Sequence, residues 1–326
     1  MKRFCFLFLA GLLTAFLGSC TPSGLGIAGG PDAGGVAYLA VEAHSGKIVG
    51  NYNETATRPV GSLCQVAAAV VTFDWATATG SSLAQQAIVP PDVVSISGPN
   101  PMGLQPGDQI ALRDALYSML MGSDTASAQT VAAFVGNQLQ QQRGGGGSVA
   151  GTFVSEMNQL AGALGMSRTR FVSAHGADGG TSTAQDLARL AIHAMRHPGL
   201  AFYTKQKSRG ISFSQAGQVK SFNVSNTNQL VGQQGINGLK AAQNQLTGPC
   251  ILVSAERSSL VEKLADGKSK ITPRRMIVVV LNSPQREARA LGLLSTGWTS
   301  YDQWQTQGAT APIAGQFIDI LSVPVL

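Results

Sequence analysis

Two apolar runs near opposite ends of the chain, Val36–Val41 (VAYLAV) and Met276–Leu281 (MIVVVL), constrain the fold more than any other feature. Each is short, almost wholly apolar and bounded by polar or turn residues, which is how a strand buried on both faces reads. A third run, Cys250–Ala255, has the same character. Most of the apolar residues between them recur at helical spacing. Strands at both ends with helices between predict an α/β (α+β), layered arrangement in which the terminal strands share one sheet.

The polar turn His44–Lys47 joins the first run to a second strand, Ile48–Tyr52, as a hairpin. After the turn Pro59-Val60-Gly61, the stretch Leu63–Ala78 reads as a helix with Ser62 at its start. Residues 90–108 are rich in Pro, Gly and Ser and read as loop. Helical spacing covers Leu112–Met121, breaks at Gly122-Ser123-Asp124-Thr125, and resumes to about Gln142. The glycine run at 144–148 reads as a flexible loop, with a helix at Phe153–Leu164 after it. Another helix is expected at Thr183–Met195, N-capped by Ser182 or Thr183, and a last one around Arg286–Leu294. There is no internal repeat.

The first twenty residues, MKRFCFLFLAGLLTAFLGSC, pair a basic start (Lys2, Arg3) with an apolar run and small residues ending at a cysteine. That is an export signal rather than part of the fold. The run Leu17-Gly18-Ser19-Cys20 resembles the lipobox of bacterial lipoproteins. The resemblance implies cleavage before Cys20 and lipidation there, each buried methylene contributing about 0.8 kcal/mol to anchoring. An ordinary secretory signal with a chance cysteine is the alternative. Thr21, rather than Asp, after the cysteine favours the outer membrane. The expected division is therefore a signal at 1–19, a Gly-rich tether at 20–35, one domain at 36–298 and a short extension at 299–326.

Lys and Arg exceed Asp and Glu, for a net charge of +6, but they are scattered and no aromatic-basic stripe accompanies them, so nucleic acid is not an indicated partner. Once the signal and Cys20 are set aside, Cys64 and Cys250 remain, free to form one disulfide or to stay as buried thiols; their apolar settings favour thiols. The four histidines (His44, His175, His193, His197) show no metal-ligand spacing with one another or with the cysteines, so neither metal nor cofactor is expected. Ser62 and Ser123, taken singly, read as helix caps, and Lys240 as a solvated lysine on an edge strand.

Their surroundings change that reading. AYLAVEAHSGKIVGNYNETATRPVGSL, GLQPGDQIALRDALYSMLMGSDTASAQTVA, MNQLAGALGMSRTRFVSAHGAD and VSNTNQLVGQQGINGLKAAQNQLTGPCILVSAERS together resemble the serine D-alanyl-D-alanine carboxypeptidases, the low-molecular-mass penicillin-binding proteins. The resemblance implies a β-lactamase-like fold, with a five-stranded antiparallel sheet flanked by helices and an all-helical subdomain. It also implies a peptidoglycan stem peptide or a β-lactam as ligand.

The family's chemistry needs a Ser-x-x-Lys pair one helical turn apart, a Ser-x-Asn motif, a Lys-Thr-Gly strand and an oxyanion hole of backbone N–H groups. By the resemblance Ser62 is the nucleophile, but Gln65 stands at the lysine position, and an amide accepts no proton near neutral pH. Ser123 is present, with Thr125 at the asparagine position. Lys240 is present, followed by Ala241 and Ala242 where threonine and glycine are expected. Arg286 or Arg289 replaces the family's carboxylate-binding arginine, and Arg286 is taken as the candidate. His175 is assigned to loop structure, Asp186 to a tether for that loop, and Cys64, which the helical rotation turns away from the face of Ser62, to burial.

The expectation is an envelope lipoprotein of this family, impaired in catalysis. An active carboxypeptidase with Lys240 as base, and a protein-interaction module using residues 136–151 or the C-terminal tail, are the alternatives.

Overall fold

The computed structural model describes residues 35–144, 146–309 and 315–321. The segments expected to be an export signal and a tether (residues 1–34, with Cys20) and Gly145 of the glycine run lie outside the described residues.

The first half of the chain contains β1 (Ala37–Glu42), β2 (Ile48–Tyr52), β3 (Arg58–Pro59), α1 (Gln65–Thr79), β4 (Gln86–Ile88) and β5 (Gln109–Ala111). Then come α2 (Leu112–Gly122), α3 (Thr125–Arg143), α4 (Val149–Ala163), β6 (Thr181–Ser182), α5 (Ala184–Ala194) and α6 (Pro198–Thr204). The remainder is β7 (Ser208–Gln215), β8 (Gln218–Ser225), β9 (Ile236–Asn244), β10 (Gly248–Lys263), β11 (Ser269–Leu281) and α7 (Arg286–Thr306).

The terminal runs do share a sheet. β1 lies antiparallel to β11, Ala37 opposite Leu281 and Glu42 opposite Met276, within the order β2-β1-β11-β10-β9. All four pairings are antiparallel. The central strands are wholly apolar because both faces are covered. On one face Val278, Val280 and Ile251 pack with Leu294, Trp298 and Tyr301 of α7. On the other, Val279, Ile277 and Leu252 join the cluster built from α1, α2, α3 and α5. The result is a three-layer domain whose edge strand β9 is largely buried against the helical half.

α1 is buried nearly all round, from Gln65 through Thr72, as a central helix of its half should be. It ends in a left-handed Gly80. Thr183, not Ser182, caps α5, accepting from the Asp186 N–H. The subdomain is not purely helical: β4, β5, β7 and β8 form a four-stranded sheet beside it, and the short α6 leads into that sheet. Polar and charged residues alternate with Ile211 and Phe213 along β7, a one-sided strand pattern weaker than the helical signal around it. α7 continues past Trp298 to Thr306 and buries Tyr301, so the domain extends across the expected boundary at 298. Ile318 returns to the core, its N–H donating to the Gly46 carbonyl. No helix among the described residues is long and apolar enough to cross a membrane.

Candidate active site

Ser62 stands in a short 3₁₀ turn (Gly61–Cys64) that runs directly into α1. The loop Ser173–Ala177 lies against this turn, backbone to backbone: a Cβ on Gly176 would come 2.1 Å from the Gly61 carbonyl oxygen. Gly176 also has a φ of +80°, so two constraints exclude other residues there. One helical turn beyond Ser62, Gln65 is fully buried. Its Nε2 donates to the His175 carbonyl at 3.4 Å, and its Oε1 has no hydrogen-bond partner. The group nearest Ser62 along the helix face is thus a neutral amide spent on holding a loop.

Ser123 is placed by the break between α2 and α3. It ends α2 in the left-handed region (φ +57°), while Asp124 takes over the capping of α3. Asp124 is buried and accepts from the Ser118 and Ser127 hydroxyls and from the Ser127 N–H. Burial still raises its pKa above the usual carboxylate value. The residue capping α3 is therefore one that the sequence reading passed over; Asp followed three positions later by Ser was the available clue. With Asp124 as cap, Ser123 is left for other work.

Lys240 on β9 supplies that work. Its Nζ is fully buried and donates to Ser123 Oγ at 2.7 Å and to the Met119 and Leu120 carbonyls at 3.2 Å each. Those carbonyls belong to the last turn of α2, where helix geometry leaves them without partners and the dipole favours a cation. Lys240 therefore caps α2 from across the sheet edge rather than lying in solvent. Burial lowers its pKa to about 7. The geometry suits both protonation states: the ammonium donates three bonds, and the neutral amine donates two and accepts from Ser123. When Lys240 is an ammonium, Ser123 Oγ is free to donate to the Ala241 carbonyl at 3.3 Å.

These parts surround a cleft of about 940 Å³. It brings together Ser62, Ser123, Thr125, Ala241, Ala242 and Arg286, while Gln65 and Lys240 are buried behind its wall. Thr125 turns its hydroxyl to the Pro99 carbonyl at 2.9 Å, and its methyl fills the space beside Gly98. Ala242 shares the face of β9 that carries Lys240, and Ala241 takes the opposite face toward α7. Arg286 reaches the rim by donating from Nη1 to the Ala242 carbonyl at 2.8 Å and pairing with Glu287. Among the described residues lining the cleft, Arg286 is the one Lys, Arg, Asp or Glu side chain, and Glu287 beside it offsets part of its charge. Ser97, Gly98 and Pro99 from the Pro/Gly-rich stretch form an unanticipated wall.

The remaining candidates fall outside the reacting zone or on its margin. Arg289 stacks over Tyr38 and donates to Ser283, away from the cleft lining. His175 lines the cleft, but its Nδ1 accepts from the Ala177 N–H and burial lowers its pKa. Asp186 accepts from the Arg168 N–H, Thr169 Oγ1 and Arg189, tying the start of the segment that leads to the His175 loop. Cys64 and Cys250 are both buried free thiols, pushed up to about 12 and about 11 by burial.

The family model for D-alanyl-D-alanine carboxypeptidases matches residues 28–263. A D-alanyl-D-alanine endopeptidase of Pseudomonas aeruginosa is 27% identical over 223 residues, covering 66% of this chain and 65% of the relative. A D-alanyl-D-alanine carboxypeptidase of Mycobacterium tuberculosis is 27% identical over 183 residues, 55% of this chain and 56% of the relative. The chain thus spans less than two thirds of either relative. Among solved structures, the Streptomyces K15 DD-transpeptidase superposes with a TM-score of 0.66 at 22% identity, covering 80% of this chain and 96% of the other. The ampicillin-bound penicillin-binding protein D2 of Listeria monocytogenes gives 0.59 at 22%, covering 84% and 97%. With the fold of those structures and a family match across most of its length, the chain belongs to the D-alanyl-D-alanine carboxypeptidase family.

Proposed function

We propose that this chain is an exported, lipid-anchored envelope protein that binds peptidoglycan stem peptides in the cleft and is impaired in hydrolysing them. One observation carries the reading. Ser62 opens onto the cleft, yet the residue one turn away is a buried neutral amide, Gln65, without proton-accepting capacity. General-base assistance is typically worth about 10²–10⁴-fold, so its loss at Ser62 is a large one. Arg286 is the group for a terminal carboxylate, and Thr125, Ala241 and Ala242 shape the walls beside it.

The decisive experiment is acylation by a fluorescent penicillin. The expected result is sub-stoichiometric labelling of the full chain over hours, alongside measurable binding of a D-Ala-D-Ala-terminated pentapeptide that weakens in Arg286→Ala. Stoichiometric labelling that disappears in Ser62→Ala would overturn the impairment. The anchor is tested separately: labelled fatty acid should be incorporated into the wild type and not into Cys20→Ala.

A second reading rests on the Lys240–Ser123 contact. A lysine with a pKa lowered to about 7 can take a proton from Ser123, and Ser123 can relay one from Ser62. On this reading, D-alanine release from the pentapeptide increases as pH rises through 7 and is lost in Lys240→Ala.

A further inference from the structure

A second group of chemistry-bearing side chains lies nine residues further along α1 than Gln65, roughly 13.5 Å of helix rise away. Asp74 projects from α1, His193 sits in the last turn of α5, and His197 stands at the N-cap position of α6. One ligand atom from each lies within 4.8 Å of the others. His193 and His197 are 1% and 5% exposed. Nearly all such buried polar atoms are hydrogen-bonded in folded proteins. Here neither ring nitrogen of His193 has a hydrogen-bond partner, nor does His197 Nε2 or Asp74 Oδ1, although the last two are in ion-pair contact. The last two atoms are 3.2 Å apart but out of hydrogen-bonding alignment.

Unaligned donor atoms at that separation are what a shared ion produces. Ligands at about 2.0–2.2 Å from a tetrahedral zinc stand roughly 3.3–3.6 Å from one another. We propose that Asp74, His193 and His197 form a binding site for a divalent transition ion of the zinc class. Two imidazole nitrogens with one carboxylate oxygen select such an ion over calcium or magnesium, which prefer all-oxygen sets. The side chain of Asp74 is 16% exposed, which leaves an approach for the ion and for a further, non-protein ligand. Phe73, whose ring centroid is 6.3 Å from that of His197, gives the site an apolar flank. The ion would clamp the helix that begins beside Ser62 to the α5–α6 junction.

Linear spacing conceals this site. His193 and His197 are four apart, but α5 ends at Ala194, so they do not share one helix face; the carboxylate comes from a distant element. The expectation of no metal, drawn from spacing, took neither fact into account.

The test uses the full chain without an affinity tag, stripped with a chelator and titrated with Zn²⁺ and, separately, with Co²⁺. The expected result is saturation at one Zn²⁺ per chain, a tetrahedral-type visible spectrum with Co²⁺, and an unfolding midpoint raised by several degrees at hundredfold excess over Kd. Asp74→Asn and His197→Gln should each weaken Zn²⁺ binding by more than about tenfold. Asp74→Asn is isosteric, and its circular dichroism establishes that the variant is folded. Absence of stoichiometric uptake, uptake unchanged in both variants, or preference for Mg²⁺ or Ca²⁺ would each overturn the proposal.

Discussion

Two serines face the same cleft, and their surroundings differ in one respect that decides their chemistry. Ser62 begins a helix whose next inward-facing polar residue, Gln65, is neutral and only half satisfied. Ser123 ends a helix and touches a buried lysine that is satisfied completely. Polar groups with partners can remain buried at little net cost, whereas an orphaned carbonyl carries its desolvation penalty without return. The contrast is one of placement: the buried lysine stands beside Ser123, and the residue one turn on from Ser62 is an amide.

The largest expected effect comes from placing a lysine one turn on from Ser62. Gln65→Lys combined with Ala241→Thr and Ala242→Gly should raise the rate of penicillin acylation at Ser62 by about 10²–10⁴-fold, measured by stopped labelling and mass spectrometry. An unchanged rate would mean that the cleft, not the missing base, limits Ser62.

Lys240→Ala should be the most destabilising single change, by about 3–4 kcal/mol in urea unfolding. It leaves a cavity and strips two buried α2 carbonyls of their donor. Lys240 also predicts a pH dependence. Its folded pKa of about 7 lies below its ordinary 10.5, so above pH 7 the unfolded chain binds more protons than the folded one. Stability should therefore rise with pH from about 7 up to the onset of thiol ionisation near 9.0, and Lys240→Met should flatten that slope.

Next in size is Gly176→Ala, which places a methyl against the Gly61 carbonyl at a left-handed φ. A loss of about 2 kcal/mol is expected, with faster amide exchange in residues 173–177 and at Ser62. The smallest effect belongs to Gln65→Met. Gln65 Oε1 has no partner to lose and only the long 3.4 Å bond from Nε2 to the His175 carbonyl goes, so the change should stay within about 1 kcal/mol, in contrast to Lys240→Ala. A cost near that of Lys240→Ala would show that the amide is as well satisfied as the lysine.

Much of the architecture is legible in the sequence. Apolar runs such as MIVVVL can be strands only where both faces are covered, and the spacing from Leu112 to Gln142 gives two helices broken at Ser123. The β4-β5-β7-β8 sheet was not legible, because its strands are short or one-sided and their polar faces read as loop. Ser62 and Ser123 were nameable from motif position and both line the cleft, whereas spacing left Arg286 and Arg289 as alternatives, of which Arg286 lines it. Asp124 was missed because a serine beside it competes for the same capping role.

What the sequence alone determined was therefore local: where strands and helices begin, that Ser62 opens a helix, and that the residue one turn on cannot accept a proton. These follow from side-chain periodicity and from the chemistry of a single residue. Tertiary structure decided which distant groups meet. Lys240 reaches Ser123 and the end of α2 only because β9 is the edge strand packed on that helix. Asp74 joins His193 and His197 only because α1 runs past the α5–α6 junction. Such contacts depend on how layers pack, and no short-range pattern in the chain records that packing.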